Sequence, residues 1–88
     1  MDREALWLDG NAIAGLLAEA FGAEMTAAPR RCQSCATVSA LGAHRLHRGA
    51  GLVLRCPACG DVGLLIGTLP DRLVLVLRGT WTVATPRA

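Results

Sequence analysis

Cys32-Gln33-Ser34-Cys35 and, after twenty further residues, Cys56-Pro57-Ala58-Cys59-Gly60 contain all four cysteines of this 88-residue chain. A Cys-x2-Cys turn directs two thiolates at one ion, while backbone N–H groups of the turn donate to the sulfurs. Two such turns, here called the first and second knuckles, supply a tetrahedral site with four thiolate ligands. The spacing predicts one structural Zn²⁺ per chain, bound by Cys32, Cys35, Cys56 and Cys59.

Two other states of the cysteines stay open. Disulfides would need an oxidising compartment, but residues 1–9 carry carboxylates where a signal peptide needs a basic start and an apolar run, so we expect a cytoplasmic protein with free thiols. The Cys-Pro-x-Cys-Gly pattern also resembles rubredoxin, which implies an iron electron carrier. Rubredoxins are acidic and rich in aromatic residues. This chain has one Phe, two Trp, no Tyr and a basic metal-binding half, which favours zinc.

The length of the chain predicts a single domain over residues 1–88 with a marginal core. A structural zinc site contributes about 10–16 kcal/mol, so folding and metal binding should be coupled. Four protein thiolates leave no open position on the ion, which argues against catalysis by the metal. The chain also has no recognisable nucleophile motif or phosphate-binding loop. We therefore predict a non-enzymatic module without a small-molecule substrate.

The positive charge is concentrated between residues 25 and 60, which contain no carboxylate. These cations offset the formal −2 charge of a zinc–thiolate centre, or they form a surface for nucleic-acid phosphates. Residues 25–60 contain no aromatic side chain that could stack on bases, so support for a nucleic-acid surface is weak. His44 and His47 are expected to be solvent-exposed strand residues rather than ligands. The candidate anion or nucleic-acid contacts are Arg30, Arg31, Arg45, Arg48 and Arg55.

Local patterns divide the chain into three parts. Residues 9–22 predict an amphipathic helix with Asp9 and Asn11 as capping residues, and 24–60 hold the two zinc knuckles and a hairpin that turns at 49–51. A short strand is expected at 24–28. Residues 61–83 predict a C-terminal antiparallel hairpin around Pro70-Asp71 and an edge strand. The predicted fold class is α+β, a zinc ribbon of short antiparallel β-strands with one N-terminal α-helix packed on the sheet.

The segment Leu73-Val74-Leu75-Val76-Leu77 is apolar at every position, so both faces of this strand need burial. The three leucines are expected to face the helix, which leaves Val74 and Val76 on the opposite face. An exposed apolar patch there predicts homodimerisation or a protein partner, the alternative being that the Arg-rich hairpin or Trp81 folds over it. No membrane association is expected, because the most apolar run, residues 62–69, is far shorter than the ~20 residues of a membrane span.

Four segments of the chain form a recognisable pattern: Leu8-Asp9-Gly10-Asn11-Ala12, Cys32-x2-Cys35, Gly51-Leu52-Val53-Leu54-Arg55-Cys56-Pro57-x-Cys59 and Leu77-Arg78-Gly79. Together they resemble a family of short, uncharacterised bacterial zinc-ribbon proteins. The resemblance spans nearly the whole chain and implies a fold and a metal site, but no activity. One departure is Ala36, which stands where glycine commonly follows the second cysteine, so the first knuckle is expected to be tilted or slightly strained.

Overall fold

The computed structural model describes residues 8–85 and residue 87. The predicted domain of residues 1–88 also includes 1–7, 86 and 88, which lie outside the described residues. The fold is α+β, with one α-helix and two antiparallel sheets in the described part. Its elements are β1 (Leu8–Asp9), α1 (Ala14–Phe21), β2 (Pro29–Arg31), β3 (Val38–Ala40), β4 (Arg45–Arg48), β5 (Leu52–Arg55), β6 (Val62–Thr68), β7 (Leu73–Leu77) and β8 (Thr80–Trp81).

The helical segment begins with a tight 3-10 turn, Gly10–Ile13, before α1. The Asp9 side chain accepts a hydrogen bond from the Asn11 N–H at 3.1 Å, as expected of a capping residue. Gly22 ends the helix in a left-handed conformation with φ of 70°. The capping chemistry and the glycine stop therefore set both ends of this segment.

The strand expected at 24–28 is absent. The chain turns there, because the Glu24 carboxylate accepts from both the N–H and the hydroxyl of Thr26, and the Ala28 N–H donates to the Met25 carbonyl. A side chain that satisfies nearby backbone groups competes with strand pairing. The strand β2 begins one residue later, at Pro29.

A five-stranded sheet runs in the order β1-β4-β5-β6-β7, and a three-stranded sheet in the order β3-β2-β8. The inner face of the five-stranded sheet packs on α1, which contributes Leu17 to the core. Leu73 and Leu75 pack against this core from β7, as expected, whereas Leu77 is 44% exposed at the strand end. The buried core residues are Ile13, Leu17, Met25, Leu41, Leu46, Leu54, Leu64 and Ile66.

Each knuckle connects two neighbouring strands of one sheet, and the two knuckles belong to different sheets. The first knuckle, residues 32–37, lies between β2 and β3 of the three-stranded sheet. The second, residues 56–61, lies between β5 and β6 of the five-stranded sheet. The four cysteines therefore meet where the two sheets meet.

Candidate metal centre

The two knuckles have the same backbone hydrogen bonds. The N–H groups of Cys32 and Cys56 donate to the carbonyls five residues later, at 2.9 and 2.8 Å. In each turn the N–H two residues after the first cysteine, that of Ser34 or Ala58, points at the cysteine Sγ from 3.4 Å. In each turn, a backbone N–H group is therefore directed at the sulfur of the first cysteine, which stabilises the thiolate form that binds a metal.

The four sulfurs form one compact cluster. All four Sγ atoms lie within 4.8 Å of one another, and the thiols are free rather than joined in disulfides. Two of the separations join the two knuckles, with Cys32 to Cys59 at 3.6 Å and Cys35 to Cys56 at 3.7 Å. A tetrahedral ion with metal–sulfur bonds of about 2.3 Å places its ligands about 3.8 Å apart. The donor set therefore fits one tetrahedral metal ion.

The surroundings of the thiols act on their pKa values in different directions. Hydrogen bonds from the backbone N–H groups of Cys35 and Ser34 lower the pKa of Cys32 to about 6. The Asp61 N–H favours the thiolate of Cys59, but burial and the three neighbouring sulfurs outweigh it and raise the pKa of Cys59 to about 12. Four thiolates in contact repel one another, so a bound cation is needed before all four can ionise.

The residue that follows the second cysteine of each knuckle has a positive φ. Gly60 follows the second pair with φ of 82°, and Ala36 follows the first pair with φ of 63°. Alanine is disfavoured in this left-handed region because its Cβ approaches the following carbonyl. The strain expected at the first knuckle is therefore present at Ala36.

Asp61 joins the second knuckle to the first. Its carboxylate accepts from the Ser34 hydroxyl and from the Gln33 Nε2 at 2.8 Å, and also from Arg78 at 3.2 Å. The bond from Ser34, followed by that from the Val62 N–H, lowers the pKa of this carboxyl below its usual range. Asp61 is thus an ionised clamp that holds the two metal-binding turns in register. Asp61 does not stand out in the sequence as a site residue, although it is the first carboxylate after a stretch that contains five arginines.

Arg30 is the main difference from the sequence-based expectations. Its side chain is 1% exposed rather than on the surface. The guanidinium donates to the Arg78 carbonyl at 2.9 Å, to the Gln33 Oε1 at 2.6 Å and to the His44 Nε2 at 3.1 Å. Gly63 makes the space, because a Cβ at that position would lie 2.5 Å from the Arg30 Cζ. Arg30 is therefore not available to phosphates.

His44 is buried too, contrary to the exposed strand position expected for it. Arginine only donates, so the His44 Nε2 accepts from Arg30 and the Nδ1 carries the proton that goes to the Ala40 carbonyl at 2.9 Å. Burial lowers the pKa of His44. The hydrogen bond to the Ala40 carbonyl raises it, and the positive charge of Arg30 lowers it, so the pKa lies below its usual value. The imidazole is therefore neutral. His47 is exposed, as expected, and neither histidine belongs to the sulfur cluster.

The other four candidate arginines are divided among three surfaces. Arg45 and Arg55 are cross-strand partners on one face of the five-stranded sheet, where Arg55 also donates to the Gly60 carbonyl at 3.1 Å. Arg48 is three residues along β4 and so projects from the other face, and Arg31 lies on β2 in the second sheet. The structure does not gather the predicted arginines into one patch.

The five-stranded sheet has an exposed apolar region on the face opposite α1. The apolar residues of this outer face are Val53, Leu65, Val74 and Val76, whose positions follow from the register of β5, β6 and β7. Arg45, His47 and Arg55 lie on the same side of the sheet, on β4 and β5. Leu65, Val74 and Val76 are 39%, 44% and 47% exposed. A shallow cavity of 490 Å³ lies beside it at the β4–β5 turn, lined by residues 47–53 and 65–67. The face predicted to be uncovered is thus apolar and open.

In the part of the chain that the structure describes, no helix is long and apolar enough to cross a membrane. The sequence profile of a protein family, described as a family of unknown function (DUF6510), matches residues 2–88. No curated protein and no solved structure shows a significant match.

Proposed function

We propose that this chain, which belongs to the DUF6510 family of unknown function, is a non-enzymatic binding module that one structural zinc ion holds together. In this proposal the module is a zinc ribbon that acts through protein contacts at its outer face, by homodimerisation or with another protein. The metal contributes to the fold and takes part in no reaction.

The sulfur geometry supports the structural role of the ion. Four thiolates that lie within 4.8 Å of one another would fill the coordination sphere of one tetrahedral ion, which leaves no position for water or substrate. The buried Arg30 gives further support. It contacts only neutral acceptors, and a buried cation without a counter-charge is costly. A four-thiolate zinc centre of formal charge −2 beginning two residues away, at Cys32, supplies that counter-charge.

The outer face is the observation that carries the proposed protein contact. Three large apolar side chains are exposed on two adjacent strands, β6 and β7, that are hydrogen-bonded to each other in the sheet. Contiguous apolar surface of this kind marks interaction sites in soluble proteins. The opposite face of the same sheet is already covered by α1.

Site-specific photo-crosslinking in the native host tests this proposal. A photoreactive amino acid at position 65 should give a covalent adduct, with the protein itself or with another protein, and Val74→Glu should abolish the adduct. The matched control is position 38, which is also apolar and exposed (55%) but lies on the other sheet. No adduct at 65, or equal adducts at 65 and 38, would overturn the proposed contact.

Nucleic-acid binding remains the alternative, with less support. Burial removes Arg30 from the candidate contacts, and Arg31, Arg45 and Arg48 project from different surfaces. If it were the function, the protein would retard DNA or RNA at about 50 mM salt, and Arg45→Ala with Arg48→Ala would weaken binding and flatten its salt dependence. Absence of binding at low salt would eliminate this alternative.

A further inference from the structure

The strand β7 forms one edge of the five-stranded sheet, and the hydrogen bonds around it show which backbone groups face outward. The Leu69 N–H donates to the Arg72 carbonyl at 2.9 Å, and the Arg78 N–H donates to the Gly63 carbonyl at 3.0 Å. Hydrogen-bonded pairs alternate along an antiparallel ladder, so Val74 and Val76 also bond inward to β6. The N–H and C=O groups of Leu73, Leu75 and Leu77 therefore point away from the sheet.

Within the described residues, this edge lacks the features that usually protect an edge strand. It contains no proline and no charge between Arg72 and Arg78, and it keeps one unbroken register with β6 along Leu73–Leu77. The described part of the other edge strand, β1, is two residues, Leu8–Asp9. A regular apolar edge with open backbone groups is a template for another strand.

The sequence of β7 is the same in both directions about Leu75. We infer that β7 pairs antiparallel with β7 of a second copy of this chain, with Leu75 opposite Leu75, to form a twofold-symmetric dimer with one continuous sheet. In this register the outward-facing residues of both copies meet, which gives about six hydrogen bonds between copies. Val74 then lies beside Val76 of the second copy on the outer face, at a Cα separation of about 4.5 Å.

The charges at the ends of β7 are compatible with this register. Arg72 of one copy lies opposite Arg78 of the other, but each arginine already has a carboxylate. Arg72 pairs with Asp71 at 2.9 Å, and Arg78 pairs with Asp61 at 3.2 Å. Each end of the seam therefore joins two cations and two anions with no net charge. A register shifted by two residues would lose one leucine pair at the seam. The register with Leu75 opposite Leu75 therefore pairs the largest number of outward-facing leucines.

This inference goes beyond the proposed function, because it names the partner as a second copy and places the contact at the β7 edge rather than on the outer face. Leu77→Pro provides the test. It removes an outward N–H at an exposed position while leaving the bonds from β7 to β6 in place. Val38→Pro is the matched control. The bonds from Cys32 to Thr37 and from Leu41 to Ala28 show that Val38 also has its N–H outward, on the edge strand β3.

Sedimentation velocity across a concentration series should show a dimer for wild type and Val38→Pro, and a dissociation constant at least about tenfold higher for Leu77→Pro. Leu65→Glu should still form the dimer, because Leu65 lies on β6 and not at the seam. A monomeric wild type would overturn strand pairing. A dimer that Leu65→Glu abolishes and Leu77→Pro leaves intact would also overturn it, while supporting the proposed outer-face contact.

Amide hydrogen exchange of the wild-type protein keeps the inference testable if Leu77→Pro does not fold. The amides of Leu73, Leu75 and Leu77 should exchange slowly at concentrations where the dimer forms and become fast on dilution. The amides of Val74 and Val76, which bond to β6, should stay protected in both conditions. Fast exchange at the three leucines at high concentration would contradict the pairing.

Discussion

Ala36 and Gly60 occupy equivalent positions at the ends of the two knuckles, with φ of 63° and 82°. The left-handed region costs a non-glycine residue about 1–2 kcal/mol. We predict that Ala36→Gly raises the free energy of unfolding by up to about 1 kcal/mol, since relief of strain exceeds the added freedom of glycine in the unfolded chain. Denaturant unfolding of the metal-loaded protein measures the change.

The reciprocal control is Gly60→Ala. A Cβ at Gly60 would meet nothing within 4 Å, so only backbone strain acts there. This variant should lower the free energy of unfolding by about 1 kcal/mol. If the free energy of unfolding changed with the same sign in both variants, backbone strain at Ala36 would not account for the effect of Ala36→Gly.

A second prediction concerns the buried pair of Arg30 and His44. Burial lowers the pKa of His44 in the folded protein below the ordinary value of 6.5 for histidine. Below about pH 6.5 the unfolded chain therefore takes up a proton that the folded protein resists, and stability falls as pH falls toward the folded pKa. His44→Gln offers a carbonyl oxygen to Arg30 and an amide donor to the Ala40 carbonyl without titrating.

We therefore expect the stability of the wild type to fall more steeply between about pH 7 and 5 than that of His44→Gln. Denaturant unfolding of both proteins at each pH measures the difference, and titration of the metal ligands cancels because both proteins share it. His47→Gln, at an exposed position, should follow the wild type. Parallel pH profiles for wild type and His44→Gln would refute the prediction.

Elements governed by nearby residues could be predicted from the sequence. The helical segment followed from Asp9 and Gly22, and the hairpin strands from their glycine and Pro-Asp turns. The turn at 24–28 could not, because Glu24 satisfies Thr26 with a side chain that the apolar pattern does not record. The burial of Arg30 is also invisible in sequence, since it depends on contacts with Arg78 and His44 far along the chain.

In the candidate site, too, features set by nearby residues could be predicted, whereas features set by contacts far along the chain could not. The cysteine spacing alone predicted which four side chains come together, because each knuckle is a local turn. The division of the fold into two sheets was not predicted, since β8 joins β2 across most of the chain. Asp61 was missed because its role is defined by Gln33 and Ser34 on the other knuckle.

The link between the knuckles leads to a third prediction. Asp61→Asn removes the charge that accepts from Ser34, Gln33 and Arg78, so the two halves of the site lose a common anchor. We expect metal affinity about 10–100-fold lower, as is typical when outer hydrogen-bond partners of ligands are removed. Competition with a chromophoric chelator measures the affinity. Asp71→Asn is the control, because its exposed pair with Arg72 lies away from the knuckles, and unchanged affinity in Asp61→Asn would reject the clamp.

At the scale of the whole molecule, the two sheets differ in what holds them. The buried apolar core lies between α1 and the five-stranded sheet. The strands of the three-stranded sheet contribute one fully buried side chain, and that is the charged Arg30. Apolar burial therefore stabilises one sheet directly, while the other depends on the knuckles and on Arg30.

The last prediction follows from this asymmetry. We expect purified protein to contain one zinc per chain by elemental analysis, and we expect chelation to expose the amides of β2, β3 and β8 to hydrogen exchange sooner than those of β5 and β6. Cys56→Ser should lose the metal and unfold at a lower temperature, because the remaining core is small. Asp71→Asn again serves as the control. An iron charge-transfer spectrum or intact Cys–Cys bonds in mass spectrometry would contradict the zinc assignment. A Cys56→Ser protein with an unchanged melting temperature would show that the metal is not what joins the two sheets.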